Sequence, residues 1–320
     1  ILTPEEAFFA SFLSLFFQPV EDILPLVGIS EAESRDVIKS MANKGLIHLN
    51  RTERGIEVKL LPFIVGIYEN QNNRIDQTLA QLMDDYFHEA FYTVMSIKPQ
   101  FHRVIPIHTA IDAKVEILPE ESVSEILMHK KAWAVIDCIC RKQQGLLGKA
   151  CDHPLRVCLI MSEIPGAFDG QSEMDVLDLN SALDVLDQAA SAGLVHTVSN
   201  HKGDISYICN CCTCGCGILR AIAEAHIANV VARSSYFAKV DDESCLACGN
   251  CEAMCQFGAI NITECATVDK TVCVGCGVCV RFCPEDAISL QLRDPDEILD
   301  IPNSYESWLK KRSDERISVS

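Results

Sequence analysis

Eighteen cysteines stand in this chain of 320 residues, and their spacing suggests chemistry more strongly than their number. Eight fall in two runs of one pattern, C-x2-C-x2-C-x3-C: Cys245, Cys248, Cys251 and Cys255, then Cys273, Cys276, Cys279 and Cys283. Nine more lie between residues 138 and 216. They are Cys138 and Cys140 in "CICR", Cys151 in "CDHP", Cys158 in "RVCLI", and Cys209, Cys211, Cys212, Cys214 and Cys216 in "CNCCTCGC". Thiolates are soft ligands and redox groups, so such crowding offers metal binding or thiol–disulfide exchange. A disulfide scaffold suits a short secreted chain. This chain is long, and its start, "ILTPEEAFFASFLSLFFQPV", has no basic stretch ahead of its apolar run. The thiols are therefore expected to be reduced and metal-bound, in a cytoplasmic protein.

The two regular runs belong to an internal repeat. "VDDESCLACGNCEAMCQFGAINI", from Val240, realigns on "VDKTVCVGCGVCVRFCPEDAISL", from Val268, with a constant shift of 28 residues. Three cysteines three apart wrap a tight loop around one corner of a compact, nearly tetrahedral body, and a fourth leaves on a short helix. That demand is made by a cubane iron–sulfur cluster, whereas zinc ribbons use two separated C-x2-C pairs. Gly249, Gly275 and Gly277 are expected to let backbone amides approach inorganic sulfur, and Ala259-Ile260 and Ala287-Ile288 to cover it. About 60 residues here resemble bacterial ferredoxins with two [4Fe-4S] clusters. The resemblance implies crossed ligation: Cys245, Cys248, Cys251 and Cys283 for one cluster, Cys273, Cys276, Cys279 and Cys255 for the other. It departs at Gln256, where the first repeat often has proline.

The nine middle thiols have no such regular rhythm. Read as extended chain, Cys138 and Cys140 share a face, as do Cys209 and Cys211, with Cys212, Cys214 and Cys216 on the other side. Adjacent Cys211 and Cys212 then point apart: they serve two clusters, or one is left free. Arg141 can set a positive charge beside the first pair, "QQGLLGKA" reads as a loop, and "ILRAIAEAH" as a helix starting at the thiols. One or two further iron–sulfur clusters are expected, with zinc at one focus or unligated buried thiols as alternatives. Cys265 reads as a core thiol, and His153, His196 and His201 as local hydrogen-bonding residues. The set "CICR", "CDHP", "GLVHTVSN" and "CNCCTCGC" resembles uncharacterised 4Fe-4S dicluster domain proteins of anaerobes, over roughly residues 130–290. It departs at Gly215, where relatives are expected to carry another cysteine. The resemblance implies redox work and gives no substrate.

The elements around these thiols predict an α+β protein in three parts and a tail. Residues 1–115, free of cysteine, form a helical, winged-helix-like docking unit. Its helices are "TPEEAFFASFLSLF" with Thr3 as cap and "SEAESRDVIKSMANKG" with Ser30 as cap, followed by a hairpin turning near Glu53–Gly55 and a helix from Asp76 to about Met95. Residues 116–235 form a cysteine-rich α/β domain: strand, capped helix and strand across 114–141, then a strand, a helix capped by Asn180 or Ser181 and stopped at Gly193, and strands at 194–198 and 205–209. Residues 236–295 are the ferredoxin-like domain, and 296–320 a charged tail with a surface helix near 303–312 and a frayed end.

Net charge is −18, and between Asp241 and Asp300 twelve acids meet three bases. The candidate recognition helix, Glu31–Lys44, balances three acids against three bases. No nucleic-acid partner is expected, since phosphate binding needs a basic footprint. No stretch reaches bilayer-spanning length, and no G-x-G-x-x-G or Walker loop is present. The leading expectation is an electron-transfer component that relays low-potential electrons to a redox protein partner. A small reductase working at the 138–158/209–216 site, by substrate or disulfide chemistry, is the alternative.

Overall fold

The computed structural model describes residues 1–53, 55–107, 110 and 118–319. The chain forms two compact units, Ile1–Asp76 and Gln77–Ser320. Both mix helices with sheets, so the protein is α+β.

In the first unit, Thr3 and Glu6 close a reciprocal capping box on α1 (Pro4–Ala10), which stops short of the expected Phe16. A short strand β1 (Gln18–Pro19) leads into α2 (Val20–Val27), ended by Gly28 at φ 74°. Ser30 and Glu33 repeat the capping box on α3 (Glu31–Asn43). The hairpin β2 (Ile47–Thr52) and β3 (Gly55–Leu60) follows, with sheet order β1-β3-β2; the tip residue of its turn, 54, lies outside those described. Three helices against a three-stranded sheet give the winged-helix-like arrangement, closed over Phe9, Ile23, Ile38, Met41, Leu46 and Val58. Glu6 is buried there, accepting from Lys44 Nζ at 2.7 Å and Ser40 Oγ at 2.7 Å.

The second unit opens with α4 (Gln77–Tyr86), one π-helical turn (Phe87–Phe91) and α5 (Tyr92–Met95). The sequence reading grouped these residues with the first part. In the structure α4 packs on α7 (below), and β4 (His102–Val104) is a strand of the large sheet. The strand expected around 114–118 and the domain edge at 115/116 fall on residues outside those described, Leu118 excepted. Then come α6 (Val123–Met128), β5 (Ala132–Asp137), α7 (Ile139–Leu146), β6 (Arg156–Ser162), β7 (Asp175–Leu177), α8 (Leu179–Ser191), β8 (Val195–Ser199), β9 (Tyr207–Cys211), α9 (Ala221–Glu224) and β10 (Val231–Ala232). Asp178, rather than Asn180 or Ser181, caps α8 through the Ser181 amide at 2.7 Å.

The seven strands run in the order β10-β4-β8-β9-β6-β5-β7. Only β10–β4 is parallel among the described pairs. One face buries Val135, Leu159, Met161, Val198 and Ile208 under α6 and α8. Because β6 is antiparallel to both β5 and β9, the exit of β5, the entry of β6 and the exit of β9 meet at one end of the sheet. That end carries the cysteines.

The last part is built from β11 (Tyr236–Val240), α10 (Asn250–Met254), β12 (Ile260–Ile262), β13 (Ala266–Val268), α11 (Val278–Arg281) and β14 (Ile288–Leu292). β11 pairs with β14 and β12 with β13, so each repeat interleaves with the other. The 28-residue shift holds atom by atom: Asp241 N donates to Ala287 O and Asp269 N to Ala259 O, both at 2.8 Å. Arg281 anchors this part to α8, 2.9 Å from Asp187. The C-terminal α12 (Tyr305–Val319) is longer than expected and is docked, not a frayed surface helix. Trp308 Nε1 donates to Gln100 O at 2.8 Å, and buried Arg312 reaches the carbonyls of Ile97, Pro99 and Val94. Among the described residues no helix is long and apolar enough to cross a membrane.

Candidate metal centres

All eighteen cysteines are free thiols. In the ferredoxin-like part, Gly249 and Gly277 take equivalent positions, each left-handed (φ 84° and 80°) just before a short helix. Gly275 is required for another reason than sulfur approach: a Cβ there would lie 2.2 Å from the Ser234 hydroxyl and from the Tyr236 carbonyl. Backbone amides donate to sulfur in matched pairs. Ala259 N meets Cys255 Sγ and Ala287 N meets Cys283 Sγ, both at 3.3 Å. Ala266 N meets Cys245 at 3.4 Å and Ala238 N meets Cys273 at 3.5 Å. Such donors stabilise thiolate charge, as a cluster requires. Cys255, from the first run, lines one small cavity with Cys273, Cys276 and Cys279, among Ala238, Ile260 and Leu290. Burial, then the neighbouring thiols Cys273 and Cys255, pushes Cys276 up to about 12. This pocket suits a group that supplies positive charge to four thiolates.

At the sheet end, six thiols touch in sequence. Cys138 is within hydrogen-bonding reach of Cys140 and Cys158, Cys140 of Cys216, Cys216 of Cys211, and Cys211 of Cys209. The expected extended geometry at "CICR" is replaced by a helix start: Cys138 is the N-cap residue of α7 and Cys140 lies in its first turn. The helix also absorbs "QQGLL", read as loop. Cys158 pairs in register with Ile136 and belongs to the sheet face opposite Leu159. Cys216 departs from the expected alternation because the chain turns after β9; its amide donates to Cys212 O at 2.9 Å. The helix expected over "ILRAIAEAH" is a single turn, Ala221–Glu224.

These buried thiols cannot all ionise unaided. Donation from Cys140 and Cys158 holds Cys138 well below the usual thiol range, while that same Cys138 thiolate pushes Cys140 and Cys158 up. The nearby imidazoles give no help, since burial pushes His102 and His196 down to about 4. Six crowded thiols with one stable thiolate are the apo form of a metal centre.

The other three, Cys151, Cys212 and Cys214, have their Sγ atoms all within 4.8 Å of one another. Cys212 packs with Ala189, Leu194 and Cys151 on the α8 side. Cys211 is instead bonded to Thr197 Oγ1 at 3.5 Å, beside the six. The expected divergence of Cys211 and Cys212 therefore separates two groups. Arg141 stands between them, with Nη1 2.9 Å from Asn210 O and 3.7 Å from Cys212 Sγ. The charges of Cys138 and Cys158 act on it too. Its Nε and Nη2 are buried without a hydrogen-bond partner, the mark of a cation awaiting an anionic group. At Gly215 a Cβ would fall 2.7 Å from Arg141 Cγ, so the glycine makes room for this side chain.

His196 bonds Asn210 Oδ1 at 2.5 Å and His153 bonds the backbone at Ala192, both as local partners. His201 Nδ1 is buried without a partner. Cys265 is not a core thiol: it is partly exposed, 3.6 Å from Asp242 Oδ1. Sequence reasoning missed Asp84 and Phe87. Asp84 holds Arg220, four residues beyond Cys216, at 2.9 Å. The Phe87 ring fills the space a Cβ on Gly217 would need. It also discounted Gln256, which ties the ferredoxin-like part to "CNCCTCGC": its Oε1 accepts from Thr213 N at 2.7 Å and its Nε2 donates to Gly193 O at 2.5 Å.

Residues 238–261 and 266–289 each match the family described as 4Fe-4S binding domain. The C-terminal part is thus an iron–sulfur domain of the ferredoxin kind, with two tandem motifs. A comparison with curated proteins returned no match.

Proposed function

We propose that the protein relays low-potential electrons between its ferredoxin-like part and a redox partner through at least three iron–sulfur centres. Cys245, Cys248, Cys251 and Cys283 hold the first, and Cys273, Cys276, Cys279 and Cys255 the second. The third draws its ligands from Cys138, Cys140, Cys158, Cys209, Cys211 and Cys216. When bound, such clusters supply one-electron redox chemistry. The chain's own residues deliver thiolates, donate amides to sulfur and keep water away. The carrying observation is Gln256, which bonds the residue after Cys255 directly to the loop of the middle thiols. The winged-helix-like unit, with its charge-balanced α3, is the docking part for the redox protein. Acidic residues of the ferredoxin-like part favour low potentials and basic partner surfaces.

Iron and acid-labile sulfide in anaerobically purified protein test this reading. About twelve irons per chain are expected, four for each cubane. About eight would remove the third centre.

A further inference from the structure

We infer that Cys151, Cys212 and Cys214 form a separate site for a single thiophilic divalent ion, zinc(II) above all, with its fourth position open to solvent. This rests on the middle cysteines being metal ligands and goes beyond it by withdrawing three of them from iron–sulfur chemistry.

Spacing is the first ground. A tetrahedral ion with metal–sulfur bonds of about 2.3 Å sets its ligand atoms roughly 3.8 Å apart. A cubane spreads its thiolates over four separate iron corners and holds them wider. Three sulfurs mutually within 4.8 Å fit the single ion. The ferredoxin runs serve as an internal comparison: among the described residues, neither they nor the six-thiol group contains a trio this tight.

Position is the second. Cys212 packs against Ala189 and Leu194 on the α8 side. Cys211, one residue earlier, is bonded to Thr197 in the other group. A cluster shared by all nine thiols would have to pass through this strand end.

Charge and access complete the case. Three thiolates around a divalent ion carry one net negative charge, and Arg141, 3.7 Å from Cys212 Sγ, carries one positive. No histidine, carboxylate or fourth cysteine joins the trio among the described residues. Cys214 is exposed, so the coordination sphere opens outward there. A site with three protein ligands and an open fourth position is the pattern of a reactive rather than a closed structural ion. Three thiolates make the ion soft, so its open position favours an exogenous thiolate over a hard oxygen anion.

The test is metal analysis of the full chain with Cys151→Ser and Cys214→Ser variants, plus cobalt(II) in place of zinc. About one zinc per chain is expected besides iron. Each variant should lose that zinc with iron and sulfide unchanged. Cobalt(II) should give sulfur-to-metal charge-transfer and tetrahedral ligand-field bands that shift on adding 2-mercaptoethanol. If either variant instead loses iron and sulfide together, the trio belongs to a cluster and the proposal fails. It fails equally if metal content does not change in both. The wild-type iron count separates this result from the relay: about eight irons with a cysteine-dependent zinc would remove the third cluster and leave the ion site standing.

Discussion

Gln256 accepts a hydrogen bond from the Thr213 amide at 2.7 Å, so the residue following Cys255 is joined to the residue between Cys212 and Cys214. The tie gives electrons a short bonded route from one part to the other. Gln256→Ala removes it, together with the bond to Gly193, at a cost of about 1–2 kcal/mol. The ferredoxin-type signals should persist while equilibration between the two parts slows several-fold. Rapid-freeze EPR after reduction would read this, and an unchanged rate would assign the route elsewhere.

Arg141 places its charge beside Cys138, Cys158 and Cys212. A buried cation favours the more reduced, more negative state of a neighbouring centre. Arg141→Met should lower the midpoint potential of the third centre by about 60 mV, one tenfold step for a single electron. The ferredoxin-type potentials should not move. Arg141→Lys should restore part of the shift, since it keeps the charge and loses the fork. A redox titration followed by EPR separates these outcomes.

Cys255 lines the cavity of the second run although it belongs to the first. Cys255→Ser should therefore disturb the centre of Cys273, Cys276 and Cys279 and spare that of Cys245, Cys248 and Cys251. Cys265→Ser should leave iron content unchanged, because this thiol is bonded to Asp242 outside both runs. Iron analysis with EPR of the remaining cluster distinguishes the two variants.

Glu6 tests the stability of the first unit. Burial opposes its charge, but Lys44, the Thr3 amide and Ser40 outweigh that and lower its pKa to about 2. A depressed folded pKa stabilises above the ordinary carboxylate value, and the contribution fades as pH falls from about 4.5 to about 2. At neutral pH it amounts to about 2–3 kcal/mol. Glu6→Gln should speed amide exchange across residues 1–76 at pH 7 and leave the ferredoxin-like part unaffected. The difference from wild type should shrink in acid.

The eight regular thiols were legible because their spacing is local and repeated, so the 28-residue shift carries geometry with it. The divergence of Cys211 and Cys212 was legible from the two-residue period of a strand. The fate of Cys216 was not, because the chain leaves the strand at Cys211 and a turn resets the alternation. Cys140 escaped for a similar reason: an α-helix begins one residue after Cys138. Asp84, Phe87 and the docked Trp308 act on residues more than a hundred positions away, and no local pattern announces such contacts. The winged-helix-like unit was readable from caps and hairpin, though α1 proved shorter than its apolar run.

Arg281 on Asp187, Gln256 on Thr213 and the Ile107 amide on Cys276 O all hold the ferredoxin-like part against the large sheet. A carrier on a loose tether delivers electrons by swinging between donor and acceptor, and its rate then depends on tether length. Here the carrier is bolted down at three points, so nothing within this unit has to swing. Traffic through it should be insensitive to solvent viscosity, and the search for a partner is left to the molecule as a whole.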